Sequence, residues 1–346
     1  MNRTSEKQFT CAVLAAAIAV IGLSTPLAAL AEEQAGSIRN QPGTDSHVEV
    51  GAGYVSDDSF KFGDYGRELG QSGPHLFSNI RMNSRGDNAS YLNVFGRNLG
   101  AETNWNLGIA GGEQGNYGLR IEYDELSKLH SDSYQTPYTG MGTSVLTKPP
   151  VWTITPAPIS TTIITPAMMT DLAANMQRFN VETKRMATGL GLTKQLSGGW
   201  DVAVNYKREK KEGTKLTGAP MQIGGQGNRG TLLAPEPIDY TTGLFDAVAR
   251  YAGEKLHMQA GYHASQFHNA NRSLVFDNLF YNGASTAGGN ALTGQLGQMP
   301  GNQFHQLNAA GGYTISKETR LSGSLSLGRM TQNEAFLPYI TTSGIL

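Results

Sequence analysis

Between Val48 and Asn333 the chain repeats one pattern: about ten residues of alternating apolar and polar side chains, then a turn, with long and short connections taking turns. Successive side chains of a strand point to opposite faces. In Trp200 to Lys207, Trp200, Val202, Val204 and Tyr206 therefore share one face, and Asp201, Ala203, Asn205 and Lys207 the other. Leu307, Ala309, Gly311 and Tyr313 alternate with Gln306, Asn308, Ala310 and Gly312, and Leu321, Leu325 and Leu327 with Arg320, Ser324 and Ser326. Tyr117, Leu119, Ile121 and Tyr123 oppose Arg120, Glu122 and Asp124. Such strands offer one face to lipid and one to water, which predicts an all-β fold, a transmembrane antiparallel up-and-down β-barrel. A soluble sandwich or solenoid is the alternative. Ala89 to Arg97 departs from the rule, with Leu92, Val94 and Phe95 falling on both faces.

Strands are expected near Val48 to Ser56, His75 to Met82, Ala89 to Arg97, Thr103 to Gly111, Asn116 to Leu126 and Glu182 to Leu196. Others are expected near Trp200 to Lys210, Thr242 to Ala252, Lys255 to His268, Gln303 to Ser316 and Thr319 to Gln332. Ser84 to Asn88, Gly112 to Gly115, Ser197 to Gly199, Gly253 to Glu254 and Lys317 to Glu318 read as tight turns, which outer-membrane barrels place in the periplasm. Asp57 to Pro74, Ser127 to Val181, Lys211 to Thr241 and Asn269 to Asn302 read as long outer loops, with Asn98 to Glu102 the short member of that set. Tyr54, Tyr123, Trp200, Tyr206, Tyr251, Tyr262 and Tyr313 lie on the apolar parity, several near strand ends, as an interfacial girdle requires. Ser127 to Val181 is crowded with prolines, and a short helix is expected after Thr165, with Pro166 first and Met168, Met169, Leu172 and Met176 on one face.

Arg3 and Lys7 precede the apolar run Cys11 to Leu23, and Ala29-Leu30-Ala31 follows, the order of a cleavable secretory signal. The expected organisation is a signal over residues 1–31, a periplasmic leader over 32–47 and a barrel over 48–346 in the bacterial outer membrane. The single cysteine, Cys11, lies inside that signal, and the chain has no CxxCH motif, so it carries no haem of its own. A net charge of −1 without a basic stripe argues against nucleic acid. About eleven strands is an odd number, whereas single-chain bacterial barrels close with an even one, so the sheet is expected to be part of a larger barrel, incomplete at its C-terminal end.

Val48 to Tyr65, VEVGAGYVSDDSFKFGDY, resembles the first strand and loop of the MtrB/PioB family, outer-membrane barrels associated with decahaem cytochromes. Gly51, Gly53, Tyr54, Asp57, Asp58, Ser59, Phe60, Lys61, Phe62 and Gly63 carry most of the match. Thr331 to Tyr339, TQNEAFLPY, is similar to the family's end-of-strand pattern. The CxxC found near the mature N-terminus of some members is missing. The resemblance implies a sheath that holds a periplasmic decahaem c-type cytochrome, with an extracellular multihaem cytochrome as a further partner and all haem carried by those partners. A diffusion porin for small polar solutes is the alternative.

Candidate chemistry is sparse. Arg120, Glu122, Asp246, Arg250, His257 and His263 are expected to face the lumen. His257 and His263 are six residues apart on one strand, roughly 20 Å, too far to share a metal. His268 and His305 lie near the same outer loop. Asp57, Asp58 and Asp64 offer carboxylates for calcium without EF-hand spacing. Ser265 near His263 and Ser131 near His130 do not form a lipase motif, and adjacent strand residues face opposite ways, so no catalytic residue is assigned.

Overall fold

The computed structural model describes residues 42–66, 70–101, 103–149, 166–222, 229–279, 292–335 and 337. The expected signal, most of the leader and the end of the TQNEAFLPY segment lie outside these residues. The strands are β1 Gly43–Val55, β2 Gly73–Arg85, β3 Ser90–Leu99, β4 Asn106–Glu113, β5 Tyr117–Ser131, β6 Gln135–Thr136, β7 Val145–Leu146 and β8 Gln177–Arg178. They continue with β9 Val181–Gln195, β10 Trp200–Gln222, β11 Arg229–Ala252, β12 Leu256–Asn269, β13 Ser273–Asp277, β14 Thr293–Gly297, β15 Asn302–Thr314 and β16 Arg320–Thr331. Helix α1 spans Pro166–Asn175, where the proline start predicts it.

Eleven of these strands form one antiparallel sheet in the order β1-β2-β3-β4-β5-β9-β10-β11-β12-β15-β16. Among the described residues β1 and β16 each pair on one side, so the sheet is open. The turns β2–β3, β4–β5, β9–β10, β11–β12 and β15–β16 are all short and lie at one end. Three of them use backbone that side chains disfavour: Ala89 has φ 60°, Gly115 has φ 79°, and Gly198 and Gly199 have φ 75° and 82°.

Register keeps the two faces separate across the sheet. Leu92 pairs with Gly111, Gly111 with Leu119, Leu119 with Leu192, and Leu192 with Val204, giving one apolar row from β3 to β10. Phe95 falls on the other face, opposite Gly108, so the third strand keeps its departure from the alternation, with one aromatic on the polar side. Apolar side chains of this outward face stay exposed, as in Val50 at 75% and Leu321 at 67%, which is what a lipid-facing wall requires.

The expected loop Lys211 to Thr241 is corrected by the structure: β10 and β11 pair continuously from Lys211↔Tyr240 to Gln222↔Arg229. β9 stops pairing with β10 at Gly213 and β12 stops pairing with β11 at Tyr240, so the hairpin runs on as a two-stranded ribbon. Each strand there is laddered on one side only, which is where a sheet tolerates Pro220, Pro235 and Pro237.

A second core lies beyond the membrane end. Tyr138, Leu146, Ala219, Ala234, Leu274, Phe276 and Leu279 are buried together, with Leu232 and Leu296 packed against them. A small sheet in the order β14-β13-β7 frames this core, and β7 pairs with β13 in parallel. Tyr138 Oη donates to the Asp277 carbonyl at 2.8 Å, and burial pushes the Tyr138 phenol well above its ordinary pKa. Two long connections and the β10–β11 ribbon are thereby joined into one packed cap.

Candidate functional site

The polar face carries charge in compensated pairs. Asp201 and Arg250 are register partners, with Arg250 Nη1 donating to Asp201 Oδ2 at 3.1 Å. Asp246 faces His263 across β11 and β12, with His263 Nδ1 and Asp246 Oδ1 2.7 Å apart. Arg120 pairs with Glu122 along β5, and Arg185 Nε lies 3.2 Å from Glu209 Oε1. Register places Arg120, Gly191, Asn205, Asp246, His263 and Gln306 in one row across six strands. Of the six residues expected at the lumen, Arg120, Asp246 and His263 share that row, Glu122 lies one rung further out, and Arg250 with Asp201 lies two rungs the other way. His257 stands apart near the short turns, opposite Ala252 and Gly312.

What surrounds the β5 charges was missed from sequence. Arg120 has Ala110 and Gly191 as its cross-strand neighbours, and Glu122 has Gly108 and Gly189. β4 and β9 thus add little side chain beside the charged rib. The Phe95 ring fills the space over Gly108, and Tyr91 Oη reaches over Gly118, so inward aromatics cover glycine backbone. Cross-strand pairing of aromatics with glycine is the signal that finds this, once register is known.

The family-motif residues build a compact loop. Gly51 lies under the Phe77 ring, whereas Gly53 faces open space and Tyr54 points outward. Asp58 Oδ1 accepts the Ser72 amide at 2.7 Å, which holds its carboxyl below the usual range. The Ser59 amide donates to the Gly70 carbonyl at 2.8 Å, and Ser59 Oγ accepts the Phe62 amide at 3.3 Å. Lys61 pairs with Asp64 at 3.1 Å, Asp57 Oδ2 accepts Ser56 Oγ, and Phe60 and Phe62 are exposed while Gly63 is buried. The loop is fastened to its neighbours by the Leu129 amide on the Asp64 carbonyl at 3.0 Å and by Lys128 Nζ on Tyr65 Oη at 2.9 Å.

Among the described residues no three His, Cys, Asp or Glu side chains converge for a metal. His305 lies on the outward face, since its neighbour Gln306 is the register partner of His263. Ser265 lies two residues from His263 and shares its face, contrary to the parity argument for that pair. The separation is roughly 7 Å along the strand, however, and the His263 ring is spent on Asp246. The fold positions a broad polar wall on one side of the sheet and a lipid-facing wall on the other.

The sequence profile of the outer membrane beta-barrel porin family MtrB/PioB matches residues 54–343. The chain belongs to that family. Outer membrane protein MtrB of Shewanella baltica (strain OS185) is 30% identical over 306 residues, which cover 88% of this chain and 40% of that relative. This MtrB/PioB chain thus spans well under half of the relative's length. It is an outer-membrane β-barrel chain, and its class is porin-like. Among solved structures, the ferric-catecholate import receptor Fiu of E. coli K12 aligns with a TM-score of 0.37 and 13% identity, over 89% of this chain and 49% of Fiu. The Pseudomonas putida toluene transporter TodX aligns with a TM-score of 0.25 and 9% identity, over 83% and 72%.

Proposed function

We propose that the polar face lines the lumen of a wide outer-membrane barrel that sheathes a periplasmic decahaem c-type cytochrome, so that electrons cross the membrane along the partner's haems. The observation that supports this reading best is the wall itself. Several of its charges are paired with one another, spread over several strands and set beside glycine and alanine, instead of converging on a pocket. A small-molecule site gathers a few polar groups in a concave apolar cleft. A surface of paired charges and exposed backbone suits a folded protein that slides in and is held over a large area.

In this reading the chain supplies insulation and docking, and every electron carrier belongs to its partners. Its eleven-stranded sheet, with 40% coverage of the MtrB relative, scales to a complete barrel of more than about twenty strands. That size accommodates a protein plug. An extracellular multihaem cytochrome is the partner proposed for the long-connection side.

The test places a photo-crosslinking residue at Gly191 in the polar row and purifies the protein from its native membrane. The expected product is a crosslink to a haem-staining periplasmic protein, with haem copurifying with the barrel. A barrel that crosslinks to no haem protein and conducts ions as an open pore in planar bilayers would establish the diffusion-porin alternative.

A further inference from the structure

The outward face changes character in a fixed order near the long connections. Along β10 the outward positions read Val204, Tyr206 and Arg208. Register aligns Tyr206, Phe245, Ala264, His305 and Arg329 in one row, and places Arg208 in the next row out, beside Gly243. Phe245 and Tyr262 are ring neighbours at 6.1 Å, so an aromatic belt marks the membrane boundary beside these cations.

The three basic groups differ from the outward lysines in the rows beyond them. Lys184 is held by Glu125 at 2.9 Å, and Lys210 by Asp239 at 3.2 Å. Arg208, His305 and Arg329 are exposed, and among the described residues neither arginine has an ion-pair partner. The His305 ring is oriented: its Nδ1 lies 2.7 Å from Tyr262 Oη, and the two rings stack 22° from parallel. His305 and Arg329 are register partners, and Arg208 stands three strands from His305, roughly 14 Å away.

A cation at the lipid headgroup level with no protein anion beside it is matched by an anion of the lipid. A guanidinium fork fits phosphate oxygens with two parallel hydrogen bonds. We propose that Arg208, His305 and Arg329 form a binding site for the phosphorylated sugar headgroup of an outer-leaflet glycolipid, lipopolysaccharide. The two arginine positions take separate phosphates, and Tyr262 presents the imidazole between them. The site lies on the outside of the wall and does not depend on what fills the lumen.

The experiment compares the full chain with the Arg208→Gln/Arg329→Gln variant after purification from outer membranes, and counts lipopolysaccharide per barrel by mass spectrometry. Native gel mobility and circular dichroism verify folding. Retention is expected to fall about tenfold in the double variant, since two charge-assisted contacts are lost. It should stay unchanged in Lys317→Gln, which removes a cation at the opposite end. Equal retention in the double variant and the parent chain overturns the site. In a second measurement on the unaltered chain, nanodiscs with lipopolysaccharide should protect Arg208 and Arg329 from phenylglyoxal, and nanodiscs with phosphatidylglycerol should not. Equal modification in both lipids overturns the site independently of any variant.

Discussion

The ring of Phe77 occupies the space that a side chain at Gly51 would need. The two residues face each other directly across β1 and β2, so the first strand's glycine is a seat for the second strand's aromatic. Gly51→Val should drive the ring out of that seat and destabilise the sheet by about 1–3 kcal/mol. Urea unfolding of the protein in lipid vesicles measures the loss. Combining it with Phe77→Leu should recover part of the loss, because the smaller side chain yields the space.

The carboxyl of Asp58 is the acceptor that closes the first long connection, and its pKa is lowered by the Ser72 amide and hydroxyl. A depressed carboxylate stabilises the folded loop above the ordinary aspartate pKa, and this contribution is lost as pH falls through the lowered value. Amide exchange at Ser72 should therefore stay slow through neutral and mildly acidic pH and accelerate only below the usual carboxylate range. In Asp58→Ala the amide should exchange fast at every pH, with no such transition.

The apolar cap should melt separately from the wall. Phe276 and Leu274 are almost fully buried among Tyr138, Leu146 and Leu279. Truncating either to alanine should cost about 2–5 kcal/mol, from lost apolar contact and the cavity left behind. Because β10 and β11 reach this cluster only with Ala219, Leu232 and Ala234, beyond the points where they pair with β9 and β12, the strands of the wall should keep their protection. Brief protease treatment of intact cells should cut Phe276→Ala within the connection that follows β5 and carries Tyr138 and Leu146, and leave the parent chain whole.

Glu125 is buried and takes both Lys184 Nζ at 2.9 Å and Tyr123 Oη at 2.8 Å. Lys184→Met should leave that carboxylate with one partner and lower stability by about 1–2 kcal/mol. This is less than for a fully buried pair, because the lysine is itself partly in water. The double replacement with Glu125→Gln should be milder than the lysine change alone. Thermal unfolding of the three variants in one detergent gives the comparison.

Where one wall faces lipid, sequence was enough. Alternation in Trp200–Lys207 or Leu321–Leu327 places every side chain on the face that register later assigns, because lipid and water impose opposite demands on neighbouring residues. The family motif was legible as a match, yet the clasp of Tyr65 to β5 depends on Lys128, 63 residues away in sequence. Beyond the membrane the same rule misled: Lys211, Lys215 and Pro235 look like loop because the ribbon there has no lipid-facing side to impose the alternation, and the core it packs against is built from distant connections. The cap was invisible for a different reason. Tyr138, Leu146 and Phe276 come from two long connections with no periodicity between them, and only their meeting makes a core. The inward glycines of β4 and β9 carry no signal of their own, and only register shows them beside Arg120 and Glu122.

The hydrogen bond from Tyr138 to Asp277 joins residues 139 apart in sequence. Most of the wall, by contrast, is built from hairpins between consecutive strands. Hairpin contacts form early because they close short loops, while contacts of large sequence separation are slow, since chain entropy must be lost first. The wall should thus be zipped strand by strand while the cap segments still trail outside, and the cap should set last, after β13 has been delivered beside β7. Assembly then has a built-in order in which the outer surface matures only on a chain whose membrane wall is already in place through β12.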